Sequence, residues 1–285
     1  MKNDTEIKDM VREKYASIAT QSKDANQTSC CGATSSCCGD EVYNIMADDY
    51  TTLAGYNPEA DLGLGCGLPT EFAKINEGDT VIDLGSGAGN DCFIARKVTG
   101  EKGKVIGIDF TEPMIKLATK NAEQLGFNNV EFRQGDIEQM PVSSDTADVV
   151  VSNCVLNLVP NKEAVFQEIF RVLKPRAHFS ISDIVLTGDL PDQWKEVAEL
   201  YAGCVSGAIQ KDAYLGMIEK AGFKNIIVQK EKAIIVPESI LENYLSKEDI
   251  ASFRTSGAQI TSITVYAEKP AIEDKNCCLP GSGCC

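Results

Sequence analysis

From residue 80 onward, the chain alternates between short apolar runs and longer amphipathic stretches. Five of the apolar runs predict buried strands, at residues 80–84, 104–109, 130–135, 147–152 and 178–185. Amphipathic stretches between them predict helices at residues 88–98, 114–125 and 162–173. This alternation requires right-handed crossovers and a parallel sheet with helices on both faces. Two later runs, at residues 224–228 and 260–268, supply two further strands.

The first of these strands runs directly into three alternating glycines, Gly85, Gly87 and Gly89. Alternating glycines allow a tight turn and let a ligand approach the backbone closely. The following helix offers unpaired N–H groups at its start. The spacing G-x-G-x-G departs from the G-x-G-x-x-G pattern of dinucleotide sites. By itself the loop therefore leaves two interpretations open, a phosphate cradle or a turn without a ligand.

Polar residues follow the ends of several predicted strands. In a parallel sheet the carboxyl ends of the strands share one edge, and ligands bind where the strand order reverses. Asp109 suits a ribose diol, while Asp136 and Ile137 suit the amine and ring face of an adenine. Each acid is also an ordinary helix cap or loop residue. Together we expect one crevice lined by Gly85, Gly87, Asp109, Asp136, Ile137, Asn153 and Cys154.

The net charge of −15 argues against a protein that coats nucleic acid or an anionic membrane. No apolar run is long enough to predict a transmembrane helix. The first residues lack the apolar segment of a signal peptide, which favours a cytoplasmic location. We expect no nucleic-acid partner and no membrane partner.

Cysteine is unusually frequent, with 12 residues. In the reducing cytoplasm a disulfide framework is not expected. Paired thiolates instead suit a soft metal ion, with a zinc site or an oxidation-prone tail as the alternative. Cys66 and Cys204 lie among small residues, and each fits either a functional thiol or a structural cysteine. Eight cysteines form four adjacent pairs, namely Cys30 and Cys31, Cys37 and Cys38, Cys277 and Cys278, and Cys284 and Cys285.

Four regions follow from these patterns. Residues 1–60 form an N-terminal extension with an amphipathic helix in its first 22 residues and a short helix at 40–47. Residues 61–188 form the α/β core, and residues 189–270 complete the sheet, with helices at 192–205, 211–221 and between 237 and 245. Residues 271–285 form a flexible cysteine-rich tail. The single histidine, His178, is expected in a strand.

The strand, the D-L-G-S-G-A-G loop at residues 83–89, Asp109 and the G-D-I-E run at 135–138 resemble the class I S-adenosylmethionine-dependent methyltransferases. The resemblance spans about residues 60–270 and implies a Rossmann-like α/β fold, with a seven-stranded sheet whose last strand is antiparallel. It also implies S-adenosylmethionine as cofactor, bound by Asp83, Gly85, Ser86, Gly87, Asp109, Met114, Asp136, Ile137 and Asn153.

A narrower resemblance, to arsenite methyltransferases, rests on G-C-G-L-P at 65–69, V-S-N-C-V-L-N-L at 151–158 and Y-A-G-C-V-S-G-A at 201–208. It implies that Cys66, Cys154 and Cys204 are the catalytic thiolates that hold As(III), which makes residues 189–270 part of an arsenic-binding region. The terminal cysteine pairs would deliver arsenic. Where the family usually has Lys-Pro-Gly-Gly, this chain has Lys174-Pro175-Arg176-Ala177.

These resemblances imply a monomeric enzyme of arsenic detoxification that moves methyl groups from S-adenosylmethionine to arsenite and then to methylated arsenicals. A thiol reductant, glutathione or thioredoxin, would act as co-substrate. Two alternatives stay open at this point. One is a methyltransferase for a small organic molecule such as a quinone precursor, and the other is a soft-metal-binding protein on a methyltransferase fold.

Overall fold

The computed structural model describes residues 4–20, 48–188, 207–235, 242 and 246–271. Its strands are β1 (Thr80–Leu84), β2 (Lys104–Asp109), β3 (Val130–Gln134), β4 (Ala147–Asn153), β5 (Leu173–Thr187), β6 (Lys224–Ala233) and β7 (Gln259–Glu268). Its α-helices are α1 (Asp4–Thr20), α2 (Pro69–Phe72), α3 (Asn90–Thr99), α4 (Glu112–Leu125), α5 (Lys162–Val172), α6 (Lys211–Lys220) and α7 (Lys247–Ser256).

The strands form one seven-stranded sheet in the order β3-β2-β1-β4-β5-β7-β6. Strands β1 to β5 pair in parallel, and β7 runs antiparallel to its neighbours β5 and β6. The predicted class I methyltransferase sheet is therefore confirmed. Because the chain leaves β1 toward β2 and β3 and returns to β4 on the other side, the strand order reverses between β1 and β4.

Two apolar layers cover the sheet, one on each face. Alternate residues of a strand point to opposite faces, so neighbouring residues enter different layers. Ile82 packs into the layer that holds Phe166 of α5 and Tyr214 of α6. Its neighbour Val81 packs into the layer that holds Phe93 of α3. Helices on both faces thus fix the sheet and leave its carboxyl edge as the place for a site.

Helix α7 was not predicted, because its residues show no clear apolar periodicity. The signals that mark it are its ends. The Ser246 hydroxyl accepts a hydrogen bond from the Asp249 N–H at 3.1 Å, and Gly257 ends the helix with φ 76°. Strand β5 begins earlier than expected, at Leu173. The helices predicted at 40–47, 192–205 and 237–245 lie outside the described residues, apart from residue 242.

The amphipathic N-terminal helix is present as α1, and Val11 is its buried residue. His178 lies in β5, as predicted. Across the segments that the structure describes, no helix has both the length and the apolar character to cross a lipid bilayer.

Candidate active site at the carboxyl edge of the sheet

The loop after β1 has a conformation that only glycine adopts readily. Gly85, Gly87 and Gly89 have φ values of 67°, 50° and 98°. A Cβ on Gly85 would lie only 2.4 Å from a methyl group of Val155, so the loop after β4 packs directly on this glycine. The hydroxyl of Ser86 is buried and has no hydrogen-bond partner among the described residues. An unpaired buried hydroxyl is a group that a bound ligand can satisfy.

Asp109 ends β2 beside this loop. Its two carboxylate oxygens accept hydrogen bonds from the Gly87 N–H at 3.1 Å and the Thr111 N–H at 2.8 Å. Burial raises the pKa of Asp109, and the hydrogen bonds from Thr111 and Gly87 oppose that rise. The carboxylate is thereby fixed in one orientation at the crevice.

Helix α1 lies across the far end of the crevice, where β3 ends. Lys8 donates a hydrogen bond to Asp136 at 2.7 Å and a second one to Glu138. Val11 and Tyr15 of the same helix also line the crevice. The sequence predicted an amphipathic helix here, but not that it forms a wall of the site.

The structure brings the predicted cofactor residues together. One crevice between the ends of β1, β2, β3 and β4 contains all nine of them, and Cys154 lies there too. Their placement agrees with the expected convergence of strand ends, while their roles toward a cofactor stay a prediction. The nine residues are Asp83, Gly85, Ser86, Gly87, Asp109, Met114, Asp136, Ile137 and Asn153.

Two acids line the crevice, the buried Asp83 and the partly buried Asp91. Asp83 accepts a hydrogen bond from the Cys92 thiol at 3.2 Å, and burial raises the pKa of Asp83 well above its usual range. Asp91 accepts hydrogen bonds from the Tyr50 hydroxyl at 2.9 Å and the Thr70 hydroxyl at 3.3 Å. Burial still raises the pKa of Asp91 to about 6.

Neither Asp91 nor Tyr50 was predicted as a site residue. The available signal for Asp91 was its position just after the last glycine of the loop, at the start of α3. Nothing in the sequence around Tyr50 marks it, because its contact with Asp91 joins residues 41 positions apart.

Asn153 connects the crevice to the loop that carries Cys66. Its side-chain oxygen accepts hydrogen bonds from the N–H groups of Cys66 at 3.0 Å and Gly67 at 3.3 Å. Its side-chain nitrogen donates to the Gly67 carbonyl at 2.8 Å and to the Tyr50 hydroxyl. The Asn153 amide thus holds the Cys66 loop against the end of β4.

Cys66 and Cys154 are bonded to each other as a disulfide, with their Cα atoms 5.7 Å apart. This differs from the expectation of reduced thiols, and the reason is geometric: the two loops meet within the span that a disulfide needs. Cys154 has a left-handed backbone, with φ 60°, and its N–H donates to the Ser182 carbonyl at 2.8 Å. Cys204 and the four terminal cysteine pairs lie outside the described residues.

Comparison with known proteins identifies methyltransferases as relatives. The family profile described as "Methyltransferase domain" matches residues 75–222. An arsenite methyltransferase of Halobacterium salinarum is 40% identical over 278 residues, which cover 94% of this chain and 68% of that protein. An arsenite methyltransferase of Aquipseudomonas alcaligenes is 30% identical over 272 residues, covering 93% and 74%.

A solved structure gives the same answer. The crystal structure of an arsenic(III) S-adenosylmethionine methyltransferase from Chlamydomonas reinhardtii superposes with a TM-score of 0.62 at 31% identity, covering 72% of this chain and 68% of that one. The sheet order and the glycine loop fit a class I methyltransferase, and the two relatives show that this chain belongs to the arsenite methyltransferase family.

Proposed function

We propose that this protein transfers methyl groups from S-adenosylmethionine to trivalent arsenic held by cysteine thiolates. The observation that carries the proposal is the position of Cys154. Cys154 lines the crevice that contains the nine predicted cofactor residues, and its sulfur is bonded to that of Cys66. A methyl donor and a thiophilic acceptor would meet at that point.

The crevice fits the cofactor in shape and charge. The glycine loop leaves its backbone open at Gly87, where a Cβ would meet nothing within 4 Å. Ser86 offers an unpaired hydroxyl, and Asp109 offers a fixed carboxylate for a ribose. S-adenosylmethionine carries a positive sulfonium and a positive amino group, and it supplies an electrophilic methyl. The carboxyl group of Asp91 lines the same crevice, and its ionised form would attract those charges.

The acceptor chemistry suits thiols and requires no general base. Trivalent arsenic is soft and prefers sulfur ligands, and with three of them it keeps a lone pair. Because no proton leaves the nucleophile, the residues need only hold arsenic in line with the methyl group and exclude water. The single histidine is placed elsewhere, with its Nε2 atom 2.6 Å from the Ala73 carbonyl. We assign Cys66, Cys154 and Cys204 as the three ligands.

A reductant is the second co-substrate in this proposal. The Cys66–Cys154 disulfide must be reduced to two thiols before arsenic binds. Two molecules of a thiol such as glutathione, or one reduced thioredoxin, supply the two electrons and leave as a disulfide. The reducing cytoplasm suits this requirement. The terminal cysteine pairs would pass arsenite to the site. Each methyl transfer would release S-adenosylhomocysteine and leave arsenic formally pentavalent, and two of its thiolates would then leave as a disulfide and return it to the trivalent state. The thiol reductant would reduce that disulfide, and the products would be mono- and then dimethylated arsenicals.

Replacement of Cys154 or Cys204 with serine tests the ligand assignment. Each variant loses a soft ligand, so methylation of arsenite is expected to fall below detection, since a hydroxyl binds trivalent arsenic poorly. Binding of S-adenosylmethionine, measured by calorimetry, serves as the control for correct folding. Near-normal arsenite turnover in both variants would refute the assignment, and activity on an organic acceptor without arsenic would favour a different substrate.

A further inference from the structure

The peptide groups on both sides of Cys66 are held by side chains from the sheet. On the amino side, Asn153 of β4 accepts a hydrogen bond from the Cys66 N–H at 3.0 Å. On the carboxyl side, the Ser262 hydroxyl of β7 donates to the Cys66 carbonyl at 2.7 Å. Ser262 lies 196 residues away in sequence, so the fold alone creates this contact.

Ser262 is buried and lies apart from the cofactor crevice. It is 5% exposed, and within β7 it pairs with Ile184 of β5 and Lys232 of β6. It is absent from the residues that line the described crevice. A substitution at Ser262 should therefore affect the reaction by changing the position of Cys66. A substitution at Asn153 would also change a residue that lines the crevice.

The Cys66 loop lies directly on the sheet. A Cβ on Gly67 would be only 2.5 Å from the Ser182 hydroxyl, so the loop and β5 are in van der Waals contact at this glycine. A buried carbonyl that loses its hydrogen-bond donor is costly, and the loop can recover a partner only by moving away from the sheet. Ser262 thus resists a displacement that would carry the Cys66 sulfur away from Cys154.

We propose that Ser262 is a positioning residue for the first methyl transfer, because it fixes the Cys66 thiolate through its carbonyl. This inference rests on the proposed function. Arsenite offers three positions for thiolates, whereas methylarsenite has one position taken by carbon and needs only two sulfur ligands. The first methylation therefore depends more on Cys66 than the second does, and loss of Ser262 should affect the two steps unequally.

The test compares three variants of the full-length protein. Ser262→Ala removes the hydroxyl, and Ser262→Thr keeps it. Thr264→Val is the matched control: Thr264 lies two residues along the same strand, and its buried hydroxyl is 2.8 Å from that of Ser182 and bonds there instead of to Cys66. Turnover is measured with arsenite and, separately, with monomethylarsonous acid, at saturating S-adenosylmethionine and thiol.

For Ser262→Ala we expect the ratio of arsenite turnover to methylarsenite turnover to fall roughly five- to tenfold, the factor that one buried hydrogen bond contributes. Ser262→Thr should restore the ratio, and Thr264→Val should leave it at the wild-type value. Equal slowing with both substrates in Ser262→Ala, or the same fall in Thr264→Val, would overturn the proposal, because general destabilisation affects both steps alike.

A second measurement needs no arsenic. Each protein is equilibrated with mixtures of reduced and oxidised glutathione, and the redox state of Cys66 and Cys154 is read by differential alkylation and mass spectrometry. If Ser262 holds the two sulfurs together, Ser262→Ala should shift this equilibrium toward the dithiol by a similar roughly five- to tenfold factor. An unchanged equilibrium would overturn the positioning role. Should the wild type fail to methylate arsenite, the proposed function fails, yet this equilibrium still decides the role of Ser262.

Discussion

Asp91 is partly buried and accepts a set of hydrogen bonds that favour its charge. Burial raises its pKa, the hydrogen bonds from Tyr50, Asn153 and Thr70 lower it, and the result is a pKa of about 6. Asp91 is therefore mostly ionised at neutral pH and protonated at mildly acidic pH. In the proposed site, only the ionised form attracts the cationic amino group of S-adenosylmethionine.

The affinity for S-adenosylmethionine should accordingly depend on pH. As the pH falls below about 6, the free protein takes up a proton at Asp91 that must leave when the cation binds. The dissociation constant should then rise by up to about tenfold per pH unit. The measurement is isothermal titration calorimetry between about pH 7.5 and pH 5.

Asp91→Asn is the comparison variant for this titration. It should bind S-adenosylmethionine more weakly than the wild type at pH 7, because one negative charge is missing. It should also lose the part of the pH dependence that belongs to Asp91. Identical pH profiles for the wild type and Asp91→Asn would show that this carboxylate does not cause the pH dependence of S-adenosylmethionine binding.

Most of the site residues that the sequence could predict lie at the ends of strands or in the loops that follow them. Asp109, Asp136 and Asn153 reach the crevice because the carboxyl ends of parallel strands converge whatever the loops do. Asp91 and Tyr50 reach each other only after the chain segment before α2 folds over α3. Their place in the site depends on burial and on the hydrogen bond between them, which joins residues 41 positions apart. A local sequence pattern shows neither of these features.

At the scale of elements, the irregular first part of β5 contains an arginine in an unfavourable conformation. Arg176 has φ 68°, a left-handed value that disfavours residues with a Cβ. Its N–H donates to the Lys269 carbonyl at 2.9 Å, while the Lys269 N–H donates to the Ala177 carbonyl at 2.8 Å. These two bonds join the first part of β5 to the residue that follows β7, and the backbone at Arg176 has a form that glycine adopts freely.

Arg176→Gly should therefore stabilise the protein. Relief of the left-handed conformation is worth about 1–2 kcal/mol, and the greater flexibility of glycine in the unfolded chain takes back roughly 0.4–1 kcal/mol. We expect the free energy of unfolding in urea to rise by about 0.5–1 kcal/mol.

Arg176→Ala is the control for that change, since it removes the same side chain but keeps a Cβ at the same φ. It should show no comparable gain. If the glycine variant unfolds at a lower urea concentration than the alanine variant, the backbone at position 176 is not strained, contrary to what its φ value indicates.

Elements with strong apolar patterns were predictable, and those defined by their ends were not. The five parallel strands and both C-terminal strands follow from apolar runs. Helix α7 depends instead on the Ser246 cap and on Gly257, signals that stand out only when the intervening residues are known to be helical. Strand β5 starts early because Leu173 pairs with Ala147, ahead of an irregularity in the register. The sequence of β5 alone does not show this pairing with another strand.

For the whole molecule, one topological feature positions both halves of the proposed reaction. The reversal of strand order between β1 and β4 opens the crevice. Strand β4 ends at Asn153, and both Asn153 and the next residue, Cys154, line this crevice. Cys66 reaches the same place from 88 residues earlier in the chain. The sequence predicted that these parts would converge, but the disulfide distance and the placement of α1 over the crevice depend on packing between distant segments.

The most direct test of arsenic methylation follows the methyl group itself. The full-length protein is incubated with methyl-labelled S-adenosylmethionine, arsenite and excess glutathione, and the arsenic species are separated by chromatography. We predict label first in monomethylated and then in dimethylated arsenic, with no such product when Cys154 is replaced by serine. Cofactor that stays unconsumed while arsenite is bound, or label that appears only on an organic acceptor, would contradict an arsenite methyltransferase.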